Sequence, residues 1–275
     1  MANVPAKPST PVKKESSSSS GIFATLAIPL CLVVGILIFM FILGHPSHYK
    51  GGDPANEPVD IFGTVHKGGA IVPVIMSFLL MVIVFSIERA IVIGKAAGTG
   101  SVDAFVRKVQ SFLNAGNIEA ASAECDKQKG SVANVIKSGL KKYREIENDP
   151  NFDTEQKALA IQKDIEEATA LEMPMLEQNL TIIATLVSIG TLMGLLGTVV
   201  GMIGAFSELA TSGAPNQAAL STHISEALIN TALGISTSAF SIILYNFFTS
   251  KIDKLTYAID ETGFSIVQTF ASSHR

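Results

Sequence analysis

LTIIATLVSIGTLMGLLGTVVGMIGAF, residues 180–206, and ISEALINTALGISTSAFSIILYNFF, residues 224–248, decide how this chain is read. Each run is apolar over the roughly 20 residues that an α-helix needs to cross a bilayer. A short polar turn joins them. In the first run Gly190, Gly194, Gly197, Gly201 and Gly204 are spaced four, three, four, three. On a helix that spacing is one stripe with a seven-residue repeat. A glycine stripe lets a second backbone come close, which is how helices associate in lipid. The spacing leaves two partners open, a neighbouring helix of the same subunit or a subunit or pore interface. Thr198, with Thr191 one heptad before it, lies beside the stripe.

The second run carries Glu226, Asn230, Gly234, Thr237, Ser241 and Tyr245, with Thr231 and Ser238 at the margin. These positions keep to one side of a helix. Lipid cannot satisfy polar groups, so this side must face protein or water. Glu226 is the sharpest residue of the chain. An ionisable group inside a span costs a few kcal/mol even on the lenient insertion scale, which makes it a functional-site candidate. The plainer reading puts it one turn inside the membrane edge, where a helix N-terminus tolerates a carboxylate.

These residues carry a resemblance. GLLGTVVGMIGAF, residues 194–206, resembles the signature of the MotA/TolQ/ExbB proton-channel family, and ISEALINTALGI with Tyr245-Asn246 is similar to that family's last span. The resemblance covers residues 69 to about 257 and points to the ExbB branch. One departure is local: the family often has proline where this chain has Thr191. The resemblance implies a ring of copies, commonly five, around a dimer of an ExbD-like single-span partner that brings a transmembrane Asp. Such a ring passes the work of proton-motive force to a TonB-like protein. By residue match Thr198, Glu226 and Thr231 are then pore-facing, and Asn230 is placed with them on the ion pathway.

Of 275 residues, 48% are hydrophobic and only 16% charged, against about 25% charged in soluble domains. A net charge of −4 gives no case for nucleic acid. Residues 1–20 hold three prolines and a serine run and read as a disordered tail. Residues 21–44 form a further apolar stretch. It is too long for the hydrophobic part of a cleaved signal and lacks an A-x-A site, so it reads as a retained span added before an ExbB-like three-span core. The connector 45–68 is polar; His45, His48 and His66 in it read as solvated loop residues, since metal spacing is lacking. Residues 69–93 form the next span, closed by Glu88 and Arg89, an interfacial pair with Arg89 snorkelling to headgroups. No metal, cofactor or catalytic set is expected, because no P-loop, zinc spacing or Ser/His/Asp group is present. Cys31 and Cys125 fall on opposite sides of this plan and predict no disulfide.

Residues 94–179 are the one large polar region. Phe105, Val109, Phe112 and Leu113 mark one helical face and Val132, Val135, Ile136 and Leu140 another. Asp153 is spaced as a cap for a charged helix that runs straight into the span at 180–206, bent at Pro174. The span at 224–248 is followed by a weakly amphipathic helix, 249–275. The fold class predicted is thus an all-α integral membrane protein with four spans and a helical cytoplasmic region. The N-tail, the middle region and the C-terminal tail hold three, eleven and three Lys or Arg, against two in the connector and none in the turn 207–223. The positive-inside rule puts the basic segments in the cytoplasm. It leaves connector and turn as periplasmic and the whole as a multi-pass inner-membrane protein.

Function follows with its rivals. One chain offers too few carboxylates for a relay, so a homo-oligomer with an acidic partner helix is expected. An ExbB-like proton-channel subunit is the leading reading. A TolQ-like or MotA-like stator subunit is the second, and a passive scaffold the third.

Overall fold

The computed structural model describes residues 17–54, 56–211 and 216–274. They form helices without a β-strand: α1 (Ser17–Leu37), α2 (Ile61–His66), α3 (Val72–Ala97), α4 (Val102–Asn114), α5 (Ile118–Gln128), α6 (Gly130–Ile146), α7 (Thr154–Glu177), α8 (Leu180–Thr211) and α9 (Gln217–Ser273). Four helical segments are long and apolar enough to cross a membrane. Most of the tail read as disordered, residues 1–16, lies outside the described residues; the helix itself reaches back to Ser17, inside that tail.

α1 runs on through a π-helical turn, Ile38–Leu43, and packs along α3. Gly35 is what permits the approach. A Cβ there would strike Ser77 Oγ and lie 3.0 Å from the Pro73 carbonyl. The chain then folds down on itself. The connector is built of short turns, with Tyr49 bridged to Pro58, and is less open than its sequence suggests. His48 bonds Asp60 at 2.6 Å, and His66 bonds the Tyr49 hydroxyl at 2.5 Å while lying 4.5 Å from the Phe39 ring. Burial holds the His66 imidazole below its ordinary basicity, and neighbouring Lys67 adds to this. The expectation of solvated loop histidines is therefore corrected for His48 and His66, because Asp60, Tyr49 and Phe39 take up their ring edges and faces.

The polar middle region folds into α4 to α7 around the far half of α9. Phe105, Val109 and Leu113 of α4 are buried, as are Val132, Val135, Ile136 and Leu140 of α6, while Phe112 stays at the margin. The matching face of α9 supplies Leu255, Ile259, Ile266 and Phe270. α7 begins where the cap was expected: Asp153 accepts from Gln156 N at 2.7 Å, and the Gln156 side chain reaches back to Asp153 N at 3.3 Å. That reciprocal pairing satisfies two donors at once.

Three boundaries differ from the sequence reading. The turn expected at 207–223 is much shorter, because α8 runs on to Thr211 and α9 already starts at Gln217. α7 does not bend into α8 at Pro174. It ends at Glu177, and Asn179 takes a left-handed φ of 61° before α8 starts. Asparagine is the side chain besides glycine that visits this region readily. In contrast, no break separates the last span from the tail. α9 is one helix of 57 residues, about 85 Å at 1.5 Å per residue. Its first half carries the candidate site and its second half is the spine of the polar bundle.

Arg89 also departs from expectation. It is 1% exposed rather than snorkelling. Its guanidinium clamps the Glu88 carboxylate, with Nε donating to Oε2 at 2.6 Å, and Nη1 donates to the Met175 and Leu176 carbonyls at 3.1 Å each. Those carbonyls belong to the last turn of α7, which has no helical donors left. Arg89 thus ties α3 to the α7–α8 break.

Candidate ion-pathway site

The site grows from the seam between α8 and α9. The glycine stripe of α8 faces α9 of the same chain along its whole length. A Cβ on Gly194 would lie 3.1 Å from both the Asn230 carbonyl and the Gly234 Cα, and one on Gly201 would lie 2.8 Å from the His223 carbonyl. Gly234 answers from the other side: its Cβ would lie 2.6 Å from the Gly190 carbonyl and 2.9 Å from Gly194 N. Backbone meets backbone here, so no rotamer change can make room. We expect Gly234→Leu to prevent the two helices from closing. An overpacking cost of about 3 kcal/mol or more is expected, read as loss of the cooperative thermal transition in detergent. A wild-type melting curve would contradict this packing.

The polar face of α9 divides in two. Asn230, Thr237 and Ser241 are 0%, 1% and 0% exposed and turn toward the protein interior. Asn230 Nδ2 donates to the Gly68 carbonyl at 2.8 Å, and its Oδ1 has no partner among the described residues. Asn230 therefore ties the connector to α9. Ser241 bonds its own helix at the Thr237 carbonyl, 2.9 Å away.

The other half follows the seam. Thr198 donates to the Leu195 carbonyl at 2.7 Å, and its oxygen sits 3.4 Å from Thr231 Oγ1. Further along, Thr191 donates to Ser238 Oγ at 2.8 Å. Toward the connector the seam ends at Glu226. Its side chain is 21% exposed, and Oε2 lies 3.5 Å from Nδ1 of His223, itself 32% exposed. Gly69, at a φ of 77°, closes over this carboxylate; any side chain there would run into Glu226. Gly204 leaves the space that the His223 ring takes, since a Cβ would lie 2.6 Å from Nδ1.

From Glu226 to Thr231 and on to Ser238 the rungs are about 7.5 and 10.5 Å apart along the helix. That is too far for direct proton hops. The hydroxyls can instead solvate water or a visiting carboxylate. Sequence reasoning missed His223, Gly68 and Gly69. The i, i+3 spacing of His223 and Glu226 was a legible signal; the glycines, more than 150 residues away, gave none.

The fold and this seam define a multi-span helical membrane protein with one carboxylate at the end of a hydroxyl-lined helix pair. Residues 127–261, just under half of the chain, match the MotA/TolQ/ExbB proton channel family. Among relatives, the chain is 26% identical to the Tol-Pal system protein TolQ of Pseudomonas aeruginosa over 159 residues, 58% of this chain and 69% of that one. It is 27% identical to the biopolymer transport protein ExbB of Xanthomonas campestris over 115 residues, 42% and 46% of the two chains. It is 34% identical to a putative ExbB-like biopolymer transport protein of Synechocystis over 88 residues, 31% and 42%. The matched stretches span less than half of these last two relatives.

Proposed function

We propose that this chain is the channel-forming subunit of an inner-membrane complex that draws on proton-motive force, and that it passes the work to outer-membrane transport through a TonB-like protein. The observation that carries the reading is Glu226, half-buried at one end of the Thr198–Thr231 seam rather than sealed in a dry contact. A carboxylate kept at that depth has a cost that structure alone does not repay. Moving one charge through 100 mV is worth about 2.3 kcal/mol, enough to drive such a device over repeated cycles.

The assembly we propose is a homo-oligomer, a pentamer by resemblance, around an ExbD-like single-span partner with a transmembrane Asp. The outward face of α8 supports it. Leu192, Leu195, Val199, Ile203 and Phe206 are all exposed there, on a helix whose glycine side is already used within the chain. Thr198 stands at the edge of that face, where a partner carboxylate could be solvated. The connector end is the periplasmic side in this reading, and α4 to α7 form a cytoplasmic skirt. The chain has no role as an enzyme here.

The test is proton flux in liposomes holding the complex purified from native membranes by a tag on this chain. Thr198→Ala with Thr231→Ala is expected to lower flux about tenfold or more, roughly the cost of one or two lost hydrogen bonds to a charge, while the complex still co-purifies. Unchanged flux would remove both threonines from the path. A TolQ-like subunit is the second reading, favoured by the longer TolQ match. Co-purification of a partner with a peptidoglycan-binding domain would support it. Absence of flux from the intact complex would leave a passive scaffold.

A further inference from the structure

We propose that His223 is the proton-exchange partner of Glu226, loading and unloading that carboxylate from the connector end of the α8–α9 pair. The inference rests on the channel reading above and adds a residue to it.

Three observations carry it. The His223 Nδ1 to Glu226 Oε2 distance of 3.5 Å needs only a small rotation to become a hydrogen bond. Both side chains keep an edge uncovered by this chain, 32% and 21% exposed. The ring also has a built seat. Gly204 leaves out the Cβ that would fill its place, and Gly201 leaves room for the His223 carbonyl. So the last two glycines of the stripe serve the histidine as much as the helix contact. On the far side Gly69 confines the carboxylate.

The step balances simply. Imidazolium Nδ1–H gives its proton to Glu226 Oε2, leaving neutral imidazole and a carboxylic acid. Hydronium on the open side then returns a proton to the ring and leaves as water. Histidine suits the task because its charge changes between about pH 5 and 8. The charged groups around it are few. Glu226 lies on its own helix, Glu208 is the one charge in the last turns of α8, and Glu57 and Lys67 of the connector line the groove beside Thr222 and Ser225. Gly204, which lies directly against the ring, carries none.

The test measures flux through the tagged native complex in liposomes as the pH on the connector side is varied from 5 to 8. Wild-type flux should change over that range. His223→Gln should assemble, lose that change and conduct about tenfold less near pH 7, the response to losing a proton-exchange group. His223→Ala should regain part of its flux when imidazole is added on that side, a recovery that a purely packing role cannot give. A wild-type pH profile in His223→Gln, or no rescue of an assembled His223→Ala, overturns the assignment. Lack of flux in wild type itself would instead strike the channel reading, and this inference with it.

Discussion

Glu226→Gln is expected to abolish proton flux, by at least about a hundredfold, the low end of what a positioned proton-transfer group contributes. The substitution keeps volume and hydrogen-bonding capacity and removes only the exchangeable charge. Gly69 still has its contact and His223 still has an acceptor, so α8, α9 and the connector should close as before. The complex should co-purify and melt as wild type does. Glu226→Asp should fall between the two, since one fewer methylene moves the carboxylate away from His223. Energised outer-membrane uptake should vanish with Glu226→Gln in cells if the TonB-like coupling holds. Wild-type flux from a Glu226→Gln complex would end the case for this residue, and the scaffold reading would then stand.

Arg89→Leu is the substitution expected to cost most in stability. It leaves the Glu88 carboxylate without its clamp and the Met175 and Leu176 carbonyls without a donor, at a site 1% exposed. Removing one partner of a buried pair costs about 3–5 kcal/mol, a fall in melting temperature of roughly 10 °C for a chain of this size. Arg89→Lys should recover only part of this, because an ammonium cannot form a planar fork to the carboxylate and reach the carbonyls as well. Glu88→Gln placed on Arg89→Leu should also recover part, by removing the stranded charge. The α7–α8 joint should loosen with it, read as faster amide exchange at 174–182. If Arg89→Leu melts as wild type does, the guanidinium is a surface group after all, and the snorkelling account returns.

These two residues show where a sequence is legible. Glu226 announced itself, because an acid inside an apolar run has few structural excuses. Arg89 announced itself too and was misread. At a span's end a cation next to an acid has the same pattern whether it reaches lipid headgroups or caps a helix folded back from residue 175. The difference lies in a contact 86 residues away. The membrane matches follow the same division. The GLLGTV and SEALINT motifs lie inside the stretch that matches the channel family.

Length and composition determined that four segments are long and apolar enough to span, and local pattern determined that the glycines of α8 form one stripe, that α4 and α6 bury one face each, and that Asp153 caps α7. All of these are local, decided within one or two turns by the 3.6-residue repeat and by which groups lack partners. Only the tertiary structure decided which helix fills the stripe. It also separated a buried tie at Asn230 from a half-open carboxylate at Glu226, and it seated His223 in the space left by Gly204 and set Gly69 over the acid. Those outcomes depend on pairs far apart in the chain, and a repeat along one helix carries no record of what will be packed against it.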